Sequence, residues 1–212
     1  MEQAKLTTGA ILGNAMRHFW AHKMLTGLTL VGLFLSSLIG FTYLSLAVLS
    51  YAQFELTYEM LADDDLLSEG YGKRRFVAVL GLQLITGAAF AIGWLLFILP
   101  GIYLMLRLSL AVPALVSEEA GVFEALLISW RRTARQELAL LGAMAGAVLP
   151  AILLWGALLA FTAARMGTGI IAITAIAAIL LSGLTMIFCW CIAAAAYGAT
   201  RIDEVNLEQV FA

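Results

Sequence analysis

Charged residues are absent from four long stretches of the chain: Met24–Phe54, Phe76–Leu106, Leu138–Ala164 and Met166–Thr200. A helix that crosses the hydrocarbon of a bilayer needs about 20 residues at about 1.5 Å each. The last two stretches therefore predict one crossing helix apiece, about 138–162 and 169–197, joined by a short turn. The second stretch resumes after Arg107 and runs to Ser117, too long for a single crossing. It contains Leu99-Pro100-Gly101, where proline removes a backbone donor and glycine frees the chain from helical geometry. The pattern reads as a tight turn there between two crossings, 76–98 and 101–117, the second bent at Pro113.

The first stretch is either one long helix or a hairpin turning near Ser36–Gly40, with crossings about 24–37 and 40–60. The basic residues choose between them, because cytoplasmic loops carry the excess of Lys and Arg. A hairpin puts Lys5, Arg17, Lys23, Lys73, Arg74, Arg75, Arg131, Arg132, Arg135 and Arg201 on one side and only Arg165 on the other. A single helix reduces that bias to seven against four. The hairpin is favoured and gives six crossings with both termini cytoplasmic. Its first arm, Met24–Ser36, has only 13 residues. It reaches across if the preceding helix continues into it or the bilayer thins locally.

Two segments outside the crossings have helical periodicity. Over 7–23, Thr7 or Thr8 serves as a cap, and Ile11, Leu12, Ala15, Met16, Phe19 and Trp20 make a stripe. Arg17, His18, His22 and Lys23 lie on or near the other face, the pattern of an interfacial helix on anionic lipid. Over 119–137, Val122, Leu126, Ile128 and Trp130 alternate with Glu124, Arg131, Arg132 and Arg135. This predicts a second amphipathic helix on the cytoplasmic surface. Trp130, Arg131, Arg132 and Arg135 form its candidate patch for lipid headgroups or a partner. The acidic run Asp63, Asp64, Asp65 and Glu69 reads as a solvated connector, and Lys73-Arg74-Arg75 as a topology anchor. The start of the chain, with Glu2 ahead of an amphipathic segment, lacks the apolar core and cleavage site of a removable leader.

Composition agrees with this layout. Of 212 residues 63% are hydrophobic and 12% charged, against about 45–50% and about 25% in soluble chains. Mean hydropathy is +0.98. These values exclude a disordered chain and an ordinary water-soluble domain. A net charge of −2 with no rich basic face excludes nucleic-acid binding as the main task. The fold class is all-α: a polytopic membrane bundle of six transmembrane helices with two cytoplasmic surface helices, in one domain over 1–212.

Arg107 is the one ionisable residue well inside a crossing. It lies about 9 Å along its helix from the outer turn, and side chains lean toward their own helix N-terminus. Its head would therefore reach outward, with Tyr43 and Ser45 among the nearest hydroxyls by depth. A structural, snorkelling arginine and a site for an anionic ligand or lipid phosphate both fit. Gly142 and Gly146 form a small-xxx-small pair for close helix packing, expected against the alanine-rich sixth crossing rather than at a dimer seam. His18 and His22 stand at a metal-binding spacing, but no further ligand lies near in sequence. Cys189 and Cys191 read as small apolar residues. No nucleophile, phosphate loop or acid–base constellation appears. The expectation is a protein that is not an enzyme, with no metal or cofactor, in contact with anionic membrane lipid and open to homo-oligomers or membrane-protein partners.

The run LPGIYLMLRLSLAVPALVSEEAGVFEALLISWRRTARQE resembles a known pattern: Pro100-Gly101, Pro113, Glu118 or Glu119, Gly121, then Ser129-Trp130-Arg131. It is similar to the bacterial and archaeal six-helix membrane proteins related to the membrane domain of glycerophosphoryl diester phosphodiesterases. The resemblance implies six crossings, the cytoplasmic (inner) membrane of a prokaryote and a link to lipid or envelope homeostasis. It implies no hydrolase activity, because the metal-binding acids and histidines of the catalytic domain have no counterpart in this sequence. A small transporter or channel component is the alternative, with Gln83 the main polar group at mid-membrane.

Overall fold

The computed structural model describes residues 7–39, 42–67, 76–96, 98–118, 120–165 and 168–211, all of them helix or short connections. Nine helices follow one another among these residues: α1 (Thr8–Ala21), α2 (Lys23–Ile39), α3 (Thr42–Asp63), α4 (Phe76–Leu96), α5 (Ile98–Leu108), α6 (Ala111–Ser117), α7 (Val122–Arg135), α8 (Glu137–Arg165) and α9 (Thr168–Phe211). Among the described residues four segments are long and apolar enough to cross a membrane: Phe76–Gly93, Leu99–Ser117, Glu137–Arg165 and Gly169–Arg201. The described residues thus form an all-helical fold with helices suited to a membrane. A shorter apolar helix covers Lys23–Leu35.

Two helices, not one, occupy the first greasy stretch. α2 and α3 pack side by side, and a β-carbon on Gly32 would sit 3.2 Å from Val48. Thr7 caps α1 by accepting from the Ala10 N–H at 3.3 Å. α1 stops at His22, which leaves helical geometry (φ −100°, ψ 30°) while its N–H still bonds to the His18 carbonyl at 3.0 Å, and α2 starts afresh at Lys23, with Thr26 N on the His22 carbonyl at 3.0 Å.

Leu99-Pro100-Gly101 is not the expected turn, because α5 has already begun at Ile98. Pro100 and Gly101 belong to the first turn of α5, where proline leaves no intrahelical donor missing. Gly101 and Gly93 bring α4 and α5 together: a β-carbon on Gly93 would come within 2.8 Å of the Gly101 Cα. The apolar segment Leu99–Ser117 does not run as one helix bent at Pro113 itself. It breaks at Ser109-Leu110, between α5 and α6. Proline at 113 has no N–H to offer the carbonyl of Ser109, so the ladder lapses four residues upstream.

Burial is uneven along the bundle. Tyr197, Ile192, Leu115, Leu56, Met60 and Ile11 are fully buried where α1, α3, α6 and α9 meet. Toward the other end α8 presents Leu149, Leu153, Leu159 and Phe161 on its surface, the outfacing apolar residues of a helix in lipid.

Candidate functional site

One end of the bundle gathers the charged side chains. It is marked by Glu137 at the start of α8, Asp64 after the end of α3, Glu118 after the end of α6, and Arg201 on α9. Three clusters occupy it.

The first surrounds Arg107, which is buried. Its Nη2 meets the Glu137 carboxylate at 3.1 Å. Its Nε donates to the Tyr103 hydroxyl at 3.0 Å and its Nη1 to the Trp130 carbonyl at 3.4 Å. The guanidinium carbon lies 5.0 Å from the Tyr103 ring centre and 5.3 Å from that of Trp130, within reach of both π faces. The main chain is held too. Ser129 Oγ donates to the Arg107 carbonyl at 2.7 Å, and Thr133 Oγ1 reaches the same oxygen at 3.4 Å. This is a correction to the outward-reaching arginine. The side chain does lean back toward Tyr103, but α7 packs along α5 and the start of α8 supplies a carboxylate. Each of its three nitrogens has a partner within the protein. The side chains of Tyr43 and Ser45 lie outside the described residues.

The second cluster is built on Glu118. Its Oε1 lies 2.8 Å from Arg132 Nη1 and 2.9 Å from Arg201 Nη1, and it accepts from the Tyr197 hydroxyl at 2.5 Å. Ser117 shares a hydrogen bond with the same hydroxyl, and the Arg132 guanidinium stands 4.8 Å over the Tyr197 ring. Arg132 therefore faces inward and is not part of a surface patch. Its neighbour Arg131 is exposed and Trp130 is partly so. The Arg135 side chain lies outside the described residues.

The third cluster joins α1 to the end of α3. Asp65 has a left-handed φ of 54°. Its N–H bonds to Ala62 O at 3.1 Å and that of Leu66 to Leu61 O at 2.9 Å, the paired bonds of a Schellman stop. The stop presents the two preceding aspartates to α1. Asp64 meets His18 Nε2 at 3.2 Å and Arg17 Nη2 at 3.3 Å, and Asp63 meets His22 Nε2 at 3.2 Å. The expected solvated connector and the expected polar outer face are in fact one interface: His18 is only 3% exposed. Burial holds the His18 pKa below its ordinary 6.5, against the opposing pull of Asp64. Among the described residues no three His, Cys, Asp or Glu side chains are arranged to hold a metal ion.

Gly142 and Gly146 pack within the chain but against α1, not α9. A β-carbon on Gly142 would lie 2.8 Å from Thr8 Oγ1, and one on Gly146 3.7 Å from Leu12. Thr8 Oγ1 also donates to the Ala139 carbonyl at 3.3 Å. Cys189 and Cys191 are buried free thiols. Between α3 and α4 a polar trio lies away from the charged clusters: Ser50 Oγ donates to Gln83 Oε1, and Gln83 Nε2 to Gln53 Oε1 at 2.5 Å. Sequence reading singled out Gln83 but not its partners. Ser50 and Gln53 are three apart, so they share a helix face, and that was the available signal.

No family model, curated protein or solved structure matches the chain. The resemblance over Leu99–Glu137 thus stands on those residues alone.

Proposed function

We propose that the chain is a six-pass protein of a prokaryotic cytoplasmic membrane, with both termini cytoplasmic. It serves the lipid phase, or the envelope built on it, without performing a chemical step. The six passes are α2, α3, α4, α5 with α6, α8 and α9. The observation that carries the reading is the state of Arg107. A transporter keeps a charge within its spans available to its solute, whereas Arg107 is paired with Tyr103, Trp130 and Glu137 and ties helices together. The clustering of Arg17, Arg107, Arg132 and Arg201 at one end supports the orientation, since basic residues mark the cytoplasmic side. The resemblance to the six-helix family points the same way.

Two measurements test this. Native mass spectrometry of the detergent-purified chain is expected to retain phospholipid. An impermeant maleimide is expected to label cysteines placed at either terminus only in inside-out vesicles. Labelling of the two ends from opposite sides would overturn the topology. The Ser50–Gln83–Gln53 trio favours a second reading, a small transporter. Solute uptake by proteoliposomes that Gln83→Leu abolishes would establish that reading in place of the first.

A further inference from the structure

α1 and α7 are divided around their circumference in the same way. At about 100° per residue, one sector of α1 holds Ile11, Ala15 and His18, all buried. The next holds Met16 and Trp20, exposed, and the third Asn14 and Arg17, also exposed. In α7 the buried sector is Ala125, Ser129 and Thr133. The exposed apolar sector is Phe123, Leu127 and Trp130, and the exposed charged sector Glu124 and Arg131. A helix docked on a protein and otherwise in water needs only two sectors. The third, apolar and uncovered, needs a second apolar phase.

The structure also indicates which phase. The exposed apolar side chains of α1, Met16 and Trp20, are followed beyond the His22 junction by those of α2: Met24, Leu28, Val31 and Leu35. Trp20 is 64% exposed and Met24 86%. The exposed apolar side chains of α7, Phe123, Leu127 and Trp130, are likewise followed beyond the Gln136 break by Leu138 and Leu141 on α8, with Phe123 78% and Leu138 85% exposed. Where α8 crosses the bilayer, this outer face meets acyl chains. The exposed apolar sectors of α1 and α7 meet the same material at shallower depth, with Arg17 and Arg131 beside them at the level of anionic headgroups. We infer that α1 and α7 lie half-sunk in the leaflet at the charged end of the bundle, their apolar sectors covered by phospholipid and not by protein. This rests on the membrane reading above.

The test is spin-label accessibility in the full chain, with Cys189 and Cys191 replaced by alanine, in vesicles of phosphatidylcholine and phosphatidylglycerol. Labels go at Trp20→Cys and Leu127→Cys in the apolar sectors, at Asn14→Cys and Arg131→Cys in the polar ones, and at Leu153→Cys in the crossing part of α8. Labels at 20 and 127 are expected to relax with dissolved oxygen, as 153 does, and those at 14 and 131 with a water-soluble nickel complex. Nickel access at 20 and 127 equal to that at 14 would overturn the inference by placing the helices in water. Shielding of 20 and 127 from both reagents would overturn it in favour of a second copy or another protein. Nickel access at 153 would remove the membrane reading itself, and so separates the two failures.

Discussion

The carbonyl of Arg107 sits where the ladder between α5 and α6 lapses, and the hydroxyls of Ser129 and Thr133 take it up. Ser129 is fully buried, and a buried carbonyl stripped of its partner costs about 1–3 kcal/mol. Ser129→Ala is expected to lose about 1–2 kcal/mol, softened by the longer Thr133 contact, and to lower the thermal midpoint in detergent. Ser129→Thr, which keeps the oxygen, is expected to lose less. His18 gives the second residue-level expectation. Its pKa is depressed when α1 is docked, so a released helix binds the proton more readily than a docked one. Docking is then fully favoured above pH 6.5 and weakens as the pH falls below it. Protection of the amides of residues 8–21, taken relative to their intrinsic exchange rate at each pH, should fall below that pH, and His18→Gln should remove the dependence. An unchanged response in His18→Gln would assign it to another group.

At the scale of elements, α1 is held on α8 by the absence of side chains. A β-branched residue at Gly142 would drive into Thr8, and overpacking of that kind costs about 1–3 kcal/mol. Gly142→Val is therefore expected to loosen α1, read as protease cleavage within residues 8–22. Gly156→Val, on the same helix with open space around it, should leave that cleavage unchanged. The sequence made the pair of glycines legible as a packing surface but named the wrong neighbour. Period and residue size assign a face to a helix, and they say nothing of which helix is opposite. The hairpin of α2 and α3 was legible for a different reason. The order of charges along the chain favoured two helices there over one, and α2 packs against α3. Arg107 was misread because depth was counted along one straight helix, and neither the break at Ser109-Leu110 nor the approach of α7 is written in local pattern.

Across the whole molecule, Glu118 is the point where α6, α7 and α9 are tied, through Arg132, Arg201 and Tyr197. Removing one member of a largely buried ionic group is more costly than the group's own net worth. Glu118→Ala is expected to cost roughly 2 kcal/mol and to raise hydrogen exchange together over 111–135 and 190–201. An effect confined to one helix would mean that the tie is local. The acid was visible in the sequence, yet its partners 14, 79 and 83 positions away become neighbours only when the bundle closes. One further consequence attaches to α3. Its middle is keyed to α4 by Ser50 and Gln53, and the stop at Asp65 keys its end to α1 through Asp63 and Asp64. An inserted or deleted residue between these points would rotate one set by about 100° relative to the other. α3 is a strut of fixed length, and a frame slip within it can satisfy only one of its two neighbours.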